Sequence, residues 1–253
     1  MGHKLFVLSG VVFIGAAILG CPQGPENRGG DSGQGRLTDT QGGASSGSGP
    51  HIERNGLVVV EAEHYTRKQA DVSGTREWYL QAGAAAGPGP DPDGYHEGAS
   101  GGGYMEVLPD MRVTHGDPME TGSYHDGAGG ASLSYDIRFE TPGTYYVWVR
   151  AYSTGTEDNG LHVGVDGVIP DSGRRIQRCG TGDWAWTSAQ RDSGGTPCGE
   201  NGTITIHIPS PGLHTVTFYQ REDGFELDRF VLTTEAGDVP AGAGPPESRR
   251  ENS

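Results

Sequence analysis

The chain has 253 residues, 45 of them glycine, and carries a formal charge of −15 at pH 7. That acidity excludes nucleic acid as a partner class, because phosphate binding needs a dense lysine and arginine surface. A hydrophobic share of 33% is low for a globular chain of this length and predicts a folded part diluted by flexible segments.

Residues 1–20 join a short basic start (His3, Lys4) to the apolar run Leu5–Leu19. The run is shorter than the roughly 20 residues a membrane-spanning helix needs, so it reads as a signal peptide. It ends in Ile18-Leu19-Gly20-Cys21, which resembles a bacterial lipobox. The resemblance implies cleavage before Cys21 and a diacylglycerol on its thiol. The protein is then expected to be exported and lipid-anchored in a bacterial cell envelope, facing the periplasm or the cell surface. Residues 21–52 continue as a Gly/Ser/Pro linker too poor in apolar side chains to bury a core.

Residues 53–235 hold the folded domain. Leu57–Glu63 is a strand candidate. Gly83–Gly130 is long and glycine-rich, and is expected to form exposed loops at one end of the fold, where long loops serve binding. Tyr104–Val107 is a short strand within it. In Ala131–Phe139 the residues Leu133, Tyr135, Ile137 and Phe139 share one face. Thr144–Tyr152 alternates too, setting Tyr145, Val147, Val149 and Ala151 against Tyr146, Trp148 and Arg150. Leu161–Val165 precedes the turn pair Asp166-Gly167, and Thr203–Ile208 points its isoleucines inward. Gly212–Thr233 reads as two apolar runs joined by the charged turn Gln220–Gly224, a hairpin signature. Residues 236–253 resemble the linker in composition and are expected to be a disordered tail. No stretch of twelve residues shows a helical apolar period. Seven to nine short strands with Gly/Pro-rich turns give an all-β fold, an antiparallel β-sandwich of the jelly-roll kind.

With Cys21 assigned to the lipid, Cys179 and Cys198 are left as an even pair in an exported chain, where disulfides persist. The alternative is two buried thiols. Glu61 and Glu63, at i and i+2 on a strand, point the same way. Asp228, an acid inside the last apolar run, could join them. Three carboxylates with backbone carbonyls form an oxygen shell that Ca²⁺ accepts; the alternative is ion pairing with Arg150 or Arg229.

Three segments carry a family resemblance: Val60–Tyr65, Gly143–Arg150 and Gly212–Leu232. They resemble the family 6 and 35 carbohydrate-binding modules, and more closely the C-terminal domain of family 115 glycoside hydrolases. The resemblance covers about residues 55–234 and implies a galactose-binding-like jelly roll, a sugar site among the loops at one end, and a structural Ca²⁺. It matches Glu61, Glu63 and Asp228 to typical metal ligands of those modules. Neutral sugars are held by aromatic faces and by amides and carboxylates. Trp78, Tyr95, Trp184 and Trp186 fall in segments read as loops, and the candidate sugar-binding residues are Trp78, Asn159, Trp184 and Asp223. Trp148, on a strand, is assigned to packing.

No His-Glu-x-x-His occurs in the sequence, and Gly-x-Ser-x-Gly occurs only in the glycine-rich stretches Gly43–Gly47 and Gly98–Gly102, where no strand-to-helix pattern makes it a nucleophile elbow. Carboxylates such as Glu97, Glu106 and Asp223 could form a hydrolytic pair, but nothing in the sequence singles them out. The expected function is therefore non-catalytic recognition of a polysaccharide or other glycan by a membrane-anchored lipoprotein. A carbohydrate-active hydrolase or lyase, and an adhesion or protein-binding sandwich without a sugar site, are the alternatives.

Overall fold

The computed structural model describes residues 49–83, 87–118, 121–191 and 198–251. The signal segment, Cys21 and nearly all of the linker lie outside them. Among the described residues the chain begins with β1 (His51–Ile52), β2 (Leu57–Glu61), β3 (Arg67–Gln69), β4 (Glu77–Gln81) and β5 (Tyr104–Leu108). A short helix, α1 (Thr121–Asp126), precedes β6 (Ser132–Phe139), β7 (Gly143–Tyr152), β8 (Gly160–Val165) and β9 (Ile176–Gln177). The order closes with β10 (Ala185–Thr187), β11 (Thr205–Ile208), β12 (Gly212–Gln220) and β13 (Glu226–Thr233). No helix among these residues is long and apolar enough to cross a membrane.

The strands form two sheets. A six-stranded sheet runs β1-β6-β12-β8-β9 with β3 also on β6, and a seven-stranded sheet runs β10-β7-β13-β5-β4. In the larger sheet β11 adds to β7, and β2 pairs with the C-terminal half of β13. All pairings are antiparallel except β1 with β6. The alternation read in the sequence sets the core: Leu133, Tyr135, Ile137 and Phe139 face Tyr145, Val147, Val149 and Ala151 across the two sheets. Tyr135 meets Phe230 of the opposite sheet edge-on at 4.8 Å between centroids. The result is a β-sandwich, as the strand pattern predicts.

Beyond the core, the structure departs from the sequence expectations in four places. Trp78 is not in a loop. It lies in β4 with no exposed surface and packs in the core, so it offers no face to a ligand. Residues 87–99 are exposed only in part: residues 88–90, 92, 97 and 98 face solvent, while Tyr95 and His96 fold back to stack on Tyr104 and Tyr152 of the larger sheet. Residues 236–251 are not a loose tail. Ser248 exchanges two hydrogen bonds with the backbone of Val59, its N–H donating to the carbonyl and its hydroxyl accepting from the N–H. The Trp186 indole donates to Gly242 O, and Arg229 reaches the carbonyls of Ala243 and Pro245. Composition suggested looseness; the free edge of β2 and a few specific partners hold the segment. Residues 49–52, counted with the linker in the sequence, already pair with the sheet and this segment.

Cys179 and Cys198 form a disulfide, with Cα atoms 5.8 Å apart.

Candidate functional site

The outer face of the larger sheet holds most of the chemistry. Inward positions of β5, β7 and β13 are apolar (Met105, Ala151, Leu227), so Tyr104, Glu106, Arg150, Tyr152 and Glu226 face out. A register shift between Leu227 and Arg229 interrupts β13 at Asp228. There β2 ends and β5 takes over as the neighbour, and the gap is filled by two 3-10 turns, Ala62–His64 and Ser100–Gly102.

The three acids expected to hold a metal gather around this gap by a different route from the one their spacing suggested. The strand stops at Glu61, and Glu63 sits in the following turn. Both flank Gly101, where a Cβ would come within 2.6 Å of Glu63 Oε1, at a backbone φ of +63° that favours glycine. Glu61 Oε1 accepts the Ser100 hydroxyl and lies 3.2 Å from Arg229. Asp228 accepts the Ser100 N–H at Oδ1 and pairs with Arg150 through Oδ2. The ion pairs that formed the alternative to a metal are thus both present. Even so, Glu61 Oε2 and Glu63 Oε2 are buried with no hydrogen-bond partner. Burial, with the charge of Glu61 adding to it, pushes the Glu63 carboxyl up to about 7. The set is all oxygen, as a hard cation prefers, but both Asp228 oxygens are engaged and, among the described residues, these three acids do not bring their oxygens within 4.8 Å of one another. A concavity of about 230 Å³ opens beside Glu63, lined also by Tyr65, Leu80, Met105 and Gly101–Gly103.

Residues expected to bind sugar are not brought together. Asn159 is buried, with Oδ1 accepting from Gln177 and its N–H donating to Glu222. Asp223 is 3% exposed and takes two hydrogen bonds from the Arg76 guanidinium at Oδ2. Both hold the loop end together and have little surface to offer. Trp184 alone keeps an accessible setting, half-buried at the outer face. Its ring meets Tyr104 edge-on at 5.1 Å and Tyr152 at 5.4 Å. The Arg150 guanidinium lies 5.6 Å from its centroid, and its Nε1 donates to Glu97 O.

Around Trp184 the structure assembles residues that the sequence reading left outside its site. Tyr95 stacks on Tyr104 at 5.7 Å, and His96 stacks on Tyr152 at 3.9 Å. Tyr104 is the buried floor, while Tyr95, His96, Tyr152 and Trp184 are only part-buried. The signal for Tyr152 and Arg150 was present in β7, whose outward row they share with Trp148. Nothing local announced that residues 95–97 would fold back over that row.

A family model described as the glycosyl hydrolase family 115 C-terminal domain matches residues 98–247. A curated protein of Formosa agariphila, named "Uncharacterized protein P23", is 48% identical over 199 residues. That alignment covers 76% of this chain and 47% of the relative, so the chain spans about half the relative's length. Among solved structures, a family 35 carbohydrate-binding module from Clostridium thermocellum is 12% identical, with a TM-score of 0.40, covering 70% of this chain and 96% of that one. A CBM35 from Paenibacillus barcinonensis is 16% identical with a TM-score of 0.40, covering 70% and 99%. The GH26-CBM35 β-(1,4)-mannanase of Podospora anserina is 14% identical with a TM-score of 0.43, covering 74% and 29%.

Proposed function

The chain belongs to the glycosyl hydrolase family 115 C-terminal domain family, and we propose that it is a non-catalytic sugar-recognition module working on a polysaccharide. The observation that carries this reading is the ring cluster of Tyr95, His96, Tyr152 and Trp184 on the outer face of the larger sheet. Aromatic faces match the C–H patches of pyranose rings, and the exposed Glu97 carboxylate beside them supplies a hydroxyl acceptor. The acids most perturbed on this face support the non-catalytic side. Glu106 and Glu226 are 0% and 1% exposed beneath residues 87–99, out of reach of a glycosidic oxygen.

A Ca²⁺ at Glu61, Glu63 and Asp228 belongs to the same proposal; it would have to draw the three acids closer than they stand, and would neutralise the two partnerless carboxylate oxygens at the break in β13. The lipobox-like ending at Cys21 supports a lipid anchor that presents the module from a bacterial envelope membrane.

Binding of a polysaccharide panel to the full chain tests the reading. Trp184→Ala is expected to weaken binding at least tenfold, and to cost about 1–3 kcal/mol of stability through its two ring contacts, so binding is compared where the variant is fully folded. Release of sugar from any member of the panel by the purified protein would instead make it a hydrolase or lyase.

A further inference from the structure

Glu106 of β5 and Glu226 of β13 are direct cross-strand partners on the outer face, and both are buried. Like charges placed opposite one another destabilise a sheet, and a buried carboxylate needs a counter-charge. Glu226 has one: its Oε1 lies 2.7 Å from His96 Nδ1. Glu106 has none. The Gln81 amide donates to its Oε2 at 2.7 Å, and its Oε1 is buried with no partner. The other basic groups of this face are committed elsewhere, Arg150 to Asp228, Arg229 to Glu61 and Arg178 to Asp183.

Facing Glu106, where a cation would be expected, stand two more acids. Asp91 and Asp93, from the segment that crosses the sheet, each bring a carboxylate oxygen within 4.8 Å of the others and of Glu106. Asp93 Oδ2 accepts the Thr154 hydroxyl at 2.6 Å, while its Oδ1 is buried and partnerless. This set shares no residue with Glu61, Glu63 and Asp228. Burial first, then the charges of Glu226 and Asp91, pushes the Glu106 carboxyl up to about 10. A nearby dication reverses that balance.

We propose that a hard divalent cation, Ca²⁺ foremost, binds between Asp91, Asp93 and Glu106 and fastens residues 87–98 to the outer face of the larger sheet. The donor set selects the class: three carboxylates suit Ca²⁺, Mg²⁺ or Mn²⁺, while His96 groups instead with Asp93 and Glu226 and hydrogen-bonds Glu226, outside this set. Calcium is preferred because it accepts irregular carboxylate shells completed by water. The structural consequence is local. Tyr95 and His96 follow Asp93 directly, so the cation fixes the segment that stacks them on Tyr104 and Tyr152.

The test uses the full chain stripped with EDTA and titrated with CaCl₂ by calorimetry, counting ions bound. Glu106→Gln is expected to lower the count by one relative to the parent protein, and Glu63→Gln, at the other acidic set, to leave this site's ion in place. Counts of two falling to one, or one falling to zero, on Glu106→Gln support the proposal. An unchanged count on Glu106→Gln overturns it, as does a parent protein that binds no Ca²⁺, and a loss only on Glu63→Gln leaves the ion to the Glu61 set alone. If the two glutamates merely share a proton, Glu106→Gln shifts the melting temperature equally with and without Ca²⁺, which also overturns the cation. Asp91→Asn, on the part-buried segment, repeats the count should Glu106→Gln fail to fold.

Discussion

The two faces of the larger sheet are both covered, but by different kinds of chain. The inner face packs on the second sheet through rows of valine, leucine, phenylalanine and tyrosine carried by regular strands. The outer face is covered by two irregular segments, 87–99 and 236–251, which contribute rings, carboxylates and single hydrogen bonds. An apolar row buries itself against any complementary row, whereas each outer contact needs one particular partner. The inner face therefore supplies stability, and the outer face supplies the specific chemistry from which function is read.

Substitution of a core ring tests the first half of that contrast and has the largest expected effect. Phe230 lies 4.8 Å from both Tyr135 and Phe218 between ring centroids and has no exposed surface. Phe230→Ala is expected to cost about 3–5 kcal/mol, the range for emptying an aromatic core position. Urea unfolding measures it, and a loss under about 1 kcal/mol would mean the inter-sheet core collapses around the gap.

The second half is broken at Glu247. This carboxylate from the C-terminal segment meets His51 and His64 and accepts the N–H of Glu61. Glu247→Ala removes an anion from among basic groups and is expected to cost about 2 kcal/mol, the range for hydrogen bonds to charged groups. Were the segment the disordered tail that its composition suggests, the substitution would be silent in the same unfolding measurement.

What was legible in the sequence follows the same division. Strands β6 and β7 announced their inner faces through period-two alternation, and both faces formed as read. Asp228 was visible as an acid inside an apolar run, whereas Glu226, two positions earlier in the same run, was not singled out. Trp78 was misplaced because Glu77–Gln81 does not alternate: Trp78, Tyr79 and Leu80 are adjacent apolar residues, and five residues between turns give a weak strand signal. Asn159 and Asp223 looked available because their partners are remote in sequence. Asp223 is held by Arg76, 147 positions away, and no local pattern encodes such a pair. The docking of residues 236–251 was hidden for a related reason: glycine and proline report what a segment lacks, not the sheet edge it meets.

The smallest expected effect comes from a carboxylate–imidazole hydrogen bond outside this contrast, at an exposed turn of the smaller sheet. Asp166 and Gly167 occupy the turn after β8 with φ of +51° and +80°, the left-handed pair that a tight hairpin needs. Asp166 Oδ2 lies 2.7 Å from His214 Nδ1, and Oδ1 accepts the Thr215 N–H. Burial alone would raise this carboxyl; the His214 and Thr215 hydrogen bonds together outweigh it and hold it below the ordinary value. A depressed pKa contributes stability above the unfolded value of about 3.9 and loses it as pH falls through the folded value. Asp166→Asn keeps the tolerance of asparagine for left-handed backbone and so isolates the charge. With the Asp166 side chain 48% exposed, the expected cost is only about 0.5 kcal/mol at neutral pH and low salt, shrinking in high salt. The difference between the two proteins should also close below about pH 3.9. A cost near that of Glu247→Ala would show that exposure does not separate weak charge pairs from strong ones in this molecule, and the contrast between its surfaces would have to rest on geometry alone.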